Sequence, residues 1–174
     1  MKNKGKYIII GLVLLALIGP LVVEMVNHKE VKTNYKTAAN AAEFFARADQ
    51  EEVVMLVLGR KSCPYCESFK PVFDKLAGEY DIDIYYFDSD IYSPSEFSKL
   101  ISKDYVIPKA SSSNFIDGKA SACTDSGEDS KISAGYATPL TLFISSGKSI
   151  DCLLGAVSED DVIKSFEYHN ITKK

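Results

Sequence analysis

From about residue 38 onward, apolar and polar positions alternate in blocks that switch between helical and strand-like periods. Asn40 and Glu43 form a capping-box-like pair ahead of Phe44, Phe45 and Ala46, which predicts a short helix over about 41–48. Val53 to Gly59 is an almost unbroken apolar run, as expected of a strand buried on both faces. Phe69, Val72, Phe73 and Leu76 recur at three- and four-residue spacing, so a helix with a core-facing stripe is expected from about Glu67 to Ala77. Pro71 inside it lacks a backbone donor and should kink it, and Gly78 just beyond would cap it. Asp81 to Asp88 alternates and then turns apolar, a second strand. Ser93, Pro94 and Glu96 are an N-cap, first-turn proline and N3 acid, opening a helix that should reach about Asp104. Pro139 to Ser145 reads as a third strand; Ser146-Gly147-Lys148 turns it, and Ser149 to Leu154 returns antiparallel. Ser158, followed by Glu159, Asp160 and Asp161, starts a last helix ending near His169, with its acids at the positive end.

The resulting order is α-β-α-β-α, a long connection, then β-β-α. Strands alternating with helices and closing on a hairpin indicate an α/β domain: a central mixed sheet flanked by helices. The connection, about 107–137, is rich in Ser, Gly, Asp and Lys and shows no regular period. A stretch of that length is either a surface insertion without regular structure or a lid or docking surface beside the active site.

Upstream of the domain the pattern changes again. Lys2, Lys4 and Lys6 precede an uncharged apolar run from Tyr7 to Val23, ended by Glu24. The run is just long enough to span a hydrocarbon core of about 30 Å. A cleaved secretory signal starts the same way, but Pro20 follows the best-placed small residue, Gly19, and no A-x-A pattern occurs before Ala39-Asn40-Ala41. Residues 1–26 therefore read as an uncleaved signal anchor, one N-terminal transmembrane helix with its lysines in the cytoplasm and the domain outside. Residues 27–37 read as a polar tether, and 38–174 as the domain with its insertion.

Composition narrows the chemistry. The formal charge is -4, from 20 basic and 24 acidic residues, which gives nucleic-acid binding no electrostatic support. The two histidines, His28 and His169, lie far apart and read as solvated surface residues, so a His-rich metal site is not expected, and no cofactor is implied. The four cysteines divide into Cys63-Pro64-Tyr65-Cys66 and two others, Cys123 and Cys152. A CxxC between a strand and a helix sets its first thiol over the helix N-terminus, where partial positive charge favours thiolate. Arg60 and Lys61 stand just upstream to assist. Cys63 is thus the expected attacking thiol and Cys66, one turn inside, the resolving thiol that releases the partner. Pro64 stiffens the first turn. The competing readings of the motif are half a zinc site or inert thiols. Zinc would need a second close pair, and neither Cys123 nor Cys152 belongs to a CxxC. Cys152 alternates with Ile150 and Leu154 and reads as a buried apolar thiol; a Cys123–Cys152 disulfide tying the insertion to the hairpin is the alternative in an oxidising compartment.

The element order, the CxxC at a strand–helix junction and Thr138-Pro139 opening the third strand together resemble the thioredoxin superfamily. Pro71 matches the proline in that family's active-site helix, and the stretch from Gly147 to Ser158 is similar to its closing hairpin and helix. The resemblance implies a thioredoxin-like fold, a cis proline at Pro139 beside the cysteines, and docking of an extended substrate segment against the Thr138 backbone, with Pro64 and Tyr65 alongside. Two departures stand out: Pro64-Tyr65 is the glutaredoxin dipeptide, and Val57 occupies the position of the thioredoxins' usual buried Asp. More narrowly, Leu58 to Cys66 and Tyr85 to Asp90 resemble the thioredoxin-like bacteriocin-transport accessory proteins of Gram-positive bacteria.

The expected function is a membrane-anchored, extracytoplasmic thiol–disulfide oxidoreductase. It would act on cysteines of exported proteins or peptides with the help of a separate redox partner. The alternative is a non-catalytic module of the same fold that holds a peptide as a transport accessory or chaperone. A glutathione-using glutaredoxin is disfavoured by the anchor and by the lack of Gly-Gly after Pro139.

Overall fold

Strand β1 (Val54–Gly59) is the hub of the domain because every one of its six residues is buried. In the computed structural model, which describes residues 33–37, 41–116 and 119–174, β1 pairs in parallel with β2 (Asp83–Asp88). On its other side it pairs antiparallel with β7 (Leu140–Ser145), which continues antiparallel to β8 (Lys148–Leu154). The four-stranded sheet thus runs β2-β1-β7-β8.

Alternate residues of β1 serve opposite faces, as the period of a strand requires. Val54, Leu56 and Leu58 pack in one cluster with Phe44 of α1 (Ala41–Ala48) and Leu100 of α3 (Pro94–Ser102). Met55 and Val57 pack in another with Phe69, Phe73 and Leu76 of α2 (Pro64–Glu79) and with Val162 and Phe166 of α4 (Glu159–Tyr168). The mixed sheet flanked by helices is as expected.

Several local expectations change. α2 starts at Pro64 instead of near Glu67 and passes through Gly78, which is not its cap: Tyr80 holds that place, and its amide donates to Leu76 O at 2.9 Å. At the start of α3 the Ser93 hydroxyl accepts from the Glu96 amide as predicted, but the box is not reciprocal. Glu96 Oε2 instead accepts from the Ala41 amide at 3.0 Å, so the acid joins α3 to the start of α1.

The connection holds more regular structure than its composition suggests. It contains β3 (Val106–Ile107), β4 (Ala110–Ile116), β5 (Lys119–Ala122), β6 (Ser130–Lys131) and a short 3-10 turn at Ile132–Ala134. β3 pairs with β6 and β4 with β5, both antiparallel. Ile107, Cys123 and Ile132 are buried in the same cluster as Leu56 and Leu142, so the insertion extends the core on that face. Cys123 and Cys152 form a disulfide with their Cα atoms 6.3 Å apart, the alternative to a buried free thiol at Cys152. The neighbouring Asp151, fully buried, accepts from the Ser111 hydroxyl, the Ser112 amide and its own strand's Cys152 amide. His169 Nε2 lies 3.0 Å from its other oxygen, so His169 is a partner of a buried acid and not the solvated residue expected.

The anchor expected at 1–26 lies outside the described residues, as does most of the tether. Among the described residues no helix is long and apolar enough to cross a membrane. Residues 33–37 pack on the domain: Lys36 bridges to β2, its amide donating to Ile84 O and its carbonyl accepting from the Tyr86 amide, and Tyr35 lies edge-on to Phe73.

Candidate active site

Cys63 is the N-cap of α2, in extended backbone conformation, and its Sγ accepts from the Cys66 amide at 3.3 Å. The sulfur therefore occupies the place a Ser or Asp oxygen would take at a helix start, facing orphan backbone donors and the positive end of the helix. The cysteine is nearly buried and Cys66 is fully so; both thiols are free. Burial alone would raise the Cys63 thiol, but hydrogen bonds from the Cys66 thiol and amide, and then with Thr138, bring it below the ordinary range. Arg60 and Lys61, expected to supply this effect, are not among its main causes; their side chains face solvent. Cys66 moves the other way. Burial first, and then its hydrogen bond to the Cys63 sulfur, raises it. Two thiols three residues apart are thereby split into a low one and a high one, an arrangement suited to an attacker and a resolver.

The other predicted residues gather around this pair. Thr138 O lies 3.7 Å from Cys63 Sγ, and the Thr138-Pro139 peptide is cis. Pro139 is buried and its carbonyl accepts from the Gly155 amide at 2.9 Å, which ties the start of β7 to the end of β8. Pro64 is the exposed first residue of α2, and Tyr65, between Pro64 and Cys66, stands 70% exposed. No group of His, Cys, Asp and Glu capable of holding a metal occurs among the described residues.

No protein-family model matches the sequence, and no curated protein matches it. Solved structures do. The chain is similar to oxidised thioredoxin from Plasmodium falciparum, with a TM-score of 0.51 at 18% identity over 78% of this chain and 97% of that one. It is similar also to thioredoxin from Aeropyrum pernix, with a TM-score of 0.52 at 17% identity over 80% and 96% of the two chains. The fold is that of thioredoxin.

Within this thioredoxin fold Val57 is fully buried in β1 and offers no proton acceptor. Two polar residues the sequence reading passed over lie close by on β2. Tyr86 and Asp88 are buried, and Tyr86 Oη and Asp88 Oδ2 have no hydrogen-bond partner among the described residues. Asp88 Oδ1, by contrast, accepts from the amides of Lys61 and Asp90. Asp90 Oδ2 in turn accepts from the Ser62 amide at 2.9 Å, so the loop leading into Cys63 is held by two acids from the end of β2. In sequence, Tyr85 to Asp90 reads as a strand end and as part of the narrower family resemblance, and neither reading gives Tyr86 or Asp88 a role at the site.

Proposed function

We propose that this protein is a thiol–disulfide oxidoreductase working through Cys63 and Cys66. The observation that carries the reading is the opposed pair of thiols: one lowered at a helix N-terminus, its neighbour raised by burial. A domain that only held a peptide would gain nothing from that split. The Cys63 thiolate attacks a partner disulfide to form a mixed disulfide, and Cys66 then attacks Cys63 to release the partner. The Thr138 backbone beside Cys63 offers strand-like pairing to an extended substrate segment, with Tyr65 and Pro64 along its edge.

The client in this reading is a cysteine-containing exported protein or peptide, met outside the cytoplasm by a domain anchored through the lysine-flanked apolar run at 7–23. The Cys123–Cys152 disulfide supports the compartment, since structural disulfides persist where thiols are not kept reduced. The resemblance of Leu58 to Cys66 and Tyr85 to Asp90 to bacteriocin-transport accessory proteins supports an exported peptide as client. A separate redox partner would reset the pair.

Exchange between a disulfide-bonded peptide and a small thiol tests the activity. The protein should accelerate exchange and Cys63→Ser should abolish the acceleration; equal exchange with and without Cys63 would favour the peptide-holding alternative.

A further inference from the structure

The long connection ends beside the nucleophile. Its last residues, Tyr136 and Ala137, lead directly into Thr138, whose carbonyl lies 3.7 Å from Cys63 Sγ. Tyr136 is half-buried against the core cluster. Burial pushes its phenol up to about 12, and the Arg60 guanidinium, three residues ahead of Cys63, pulls the other way. The wall of the insertion and the loop into the motif therefore lie within electrostatic reach of each other.

A cavity of about 210 Å³ opens at this edge. Ile107, Cys123, Asp125, Tyr136 and Ala137 of the insertion line it, and Leu154 closes it from the end of β8. Leu154 pairs with Leu140, the residue after Pro139, and the disulfide ties Cys123 to Cys152 of the same strand. The wall is thus fastened to the hairpin that the cis proline opens. Ile107 is buried, Tyr136 and Leu154 are half-buried, and Asp125 is exposed, so an apolar floor gives way to a polar rim. No lysine or arginine lines the cavity. The Asp125 carboxylate has no hydrogen-bond or ion-pair partner among the described residues, and Glu128 and Asp129 add negative charge to the same loop. Small-molecule pockets run to roughly 300–1,000 Å³, so this smaller space suits one side chain.

Resting on the redox reading above, we propose that this cavity is a specificity pocket for a basic side chain, lysine or arginine, near the reacting cysteine of the client. Consecutive Cα atoms such as those of Ala137 and Thr138 lie about 3.8 Å apart. An extended client paired with the Thr138 backbone advances about 3.3 Å per residue, so a residue one to three places from its cysteine comes over the cavity. The aliphatic stem of a basic side chain covers Ile107, Tyr136 and Leu154 while its charged head meets Asp125 at the rim. A glutamate in the same place would face the Asp125 carboxylate with no cation in the lining to offset it. The insertion selects the client, and Cys63 and Cys66 carry the exchange.

The probes are peptides with one cysteine joined by a disulfide to an aromatic thiol of strong absorbance. Lysine, norleucine or glutamate is placed in turn at each of the three positions on either side of that cysteine. In full-chain Cys66→Ser the Cys63 thiolate attacks the peptide sulfur, the aromatic thiolate leaves, and stopped flow reads its absorbance. At one position the lysine peptide should react about two- to fivefold faster than the norleucine peptide, and the glutamate peptide more slowly, as a partly exposed ion pair allows. High salt should shrink the difference. Adding Asp125→Asn should bring the lysine-to-norleucine ratio close to one, and Asp125→Lys should make glutamate faster than lysine. Equal rates for all three peptides, the same lysine preference at every position, or a preference that survives Asp125→Asn overturns the pocket. Failure of Cys63 to react with any of the peptides would instead overturn the redox reading on which it rests.

Discussion

The Cys66 amide donates to the Sγ of Cys63 at 3.3 Å, so one sulfur both closes the start of α2 and serves as the proposed nucleophile. Helix capping and thiol activation are therefore the same interaction, seen once as structure and once as chemistry.

The two thiols should titrate apart. Alkylation of Cys63, measured in Cys66→Ser, should rise with pH at a midpoint below that of an ordinary thiol, because its thiolate is favoured by the helix amide and by Thr138. Alkylation of Cys66 in Cys63→Ser should rise only above the ordinary midpoint, since burial is the leading cause of its shift and survives the substitution. Equal midpoints would remove the basis for assigning attacker and resolver.

Stabilising the Cys63 thiolate also stabilises the reduced pair, and a more stable dithiol is a stronger oxidant. Equilibration with glutathione buffers should therefore give a potential less negative than the roughly -270 mV of thioredoxin, in the range of about -200 to -230 mV. A value at or below that of thioredoxin would show that the hydrogen bonds on Cys63 do not govern the couple.

The disulfide in the insertion should act on stability and leave the chemistry of the motif intact. It closes a loop with a sequence separation of 29. The Cys123→Ala, Cys152→Ala double variant should lose about 3–4 kcal/mol by urea unfolding, from the loop-closure entropy regained by the unfolded chain. Hydrogen exchange should quicken in β3 to β6 first, while thiol exchange at Cys63 persists.

Gly59 is constrained by the ring beside it. In Gly59→Ala the new methyl would meet Tyr86 Oη at 2.6 Å and Cε2 at 2.7 Å, both inside normal contact. A loss of about 1–3 kcal/mol is expected from overpacking. Combined with Tyr86→Ala, the same change should cost much less, because the obstacle is the ring and not the backbone; strictly additive losses would contradict this.

Most of the frame was legible because strong periods and caps specify it locally. The apolar run of β1, the stripe Phe69, Phe73 and Leu76, and the Ser93 and Ser158 caps all form the elements they predict. The insertion was not legible, since its strands are short, polar and meaningful only in pairs: Val106 with Lys131, and Ala110 with Ala122. Ile150 misled for a similar reason. Strand alternation sends it inward with Cys152, but a register shift between Phe143 and Ile144 leaves it 39% exposed while Asp151 is buried. At the site, the cysteines are marked by their CxxC spacing, and Thr138 and Pro139 by the thioredoxin resemblance. Nothing in the sequence marks Tyr86 and Asp88 individually, and only the tertiary structure leaves Tyr86 Oη and Asp88 Oδ2 buried without partners among the described residues.

The central claim is that Cys63 attacks and Cys66 resolves. Incubating Cys66→Ser with a disulfide-bonded peptide and mapping adducts by mass spectrometry tests it most directly. A stable mixed disulfide on Cys63, absent from Cys63→Ser, is the predicted result. No adduct on Cys63, or one confined to Cys123 or Cys152, would contradict it.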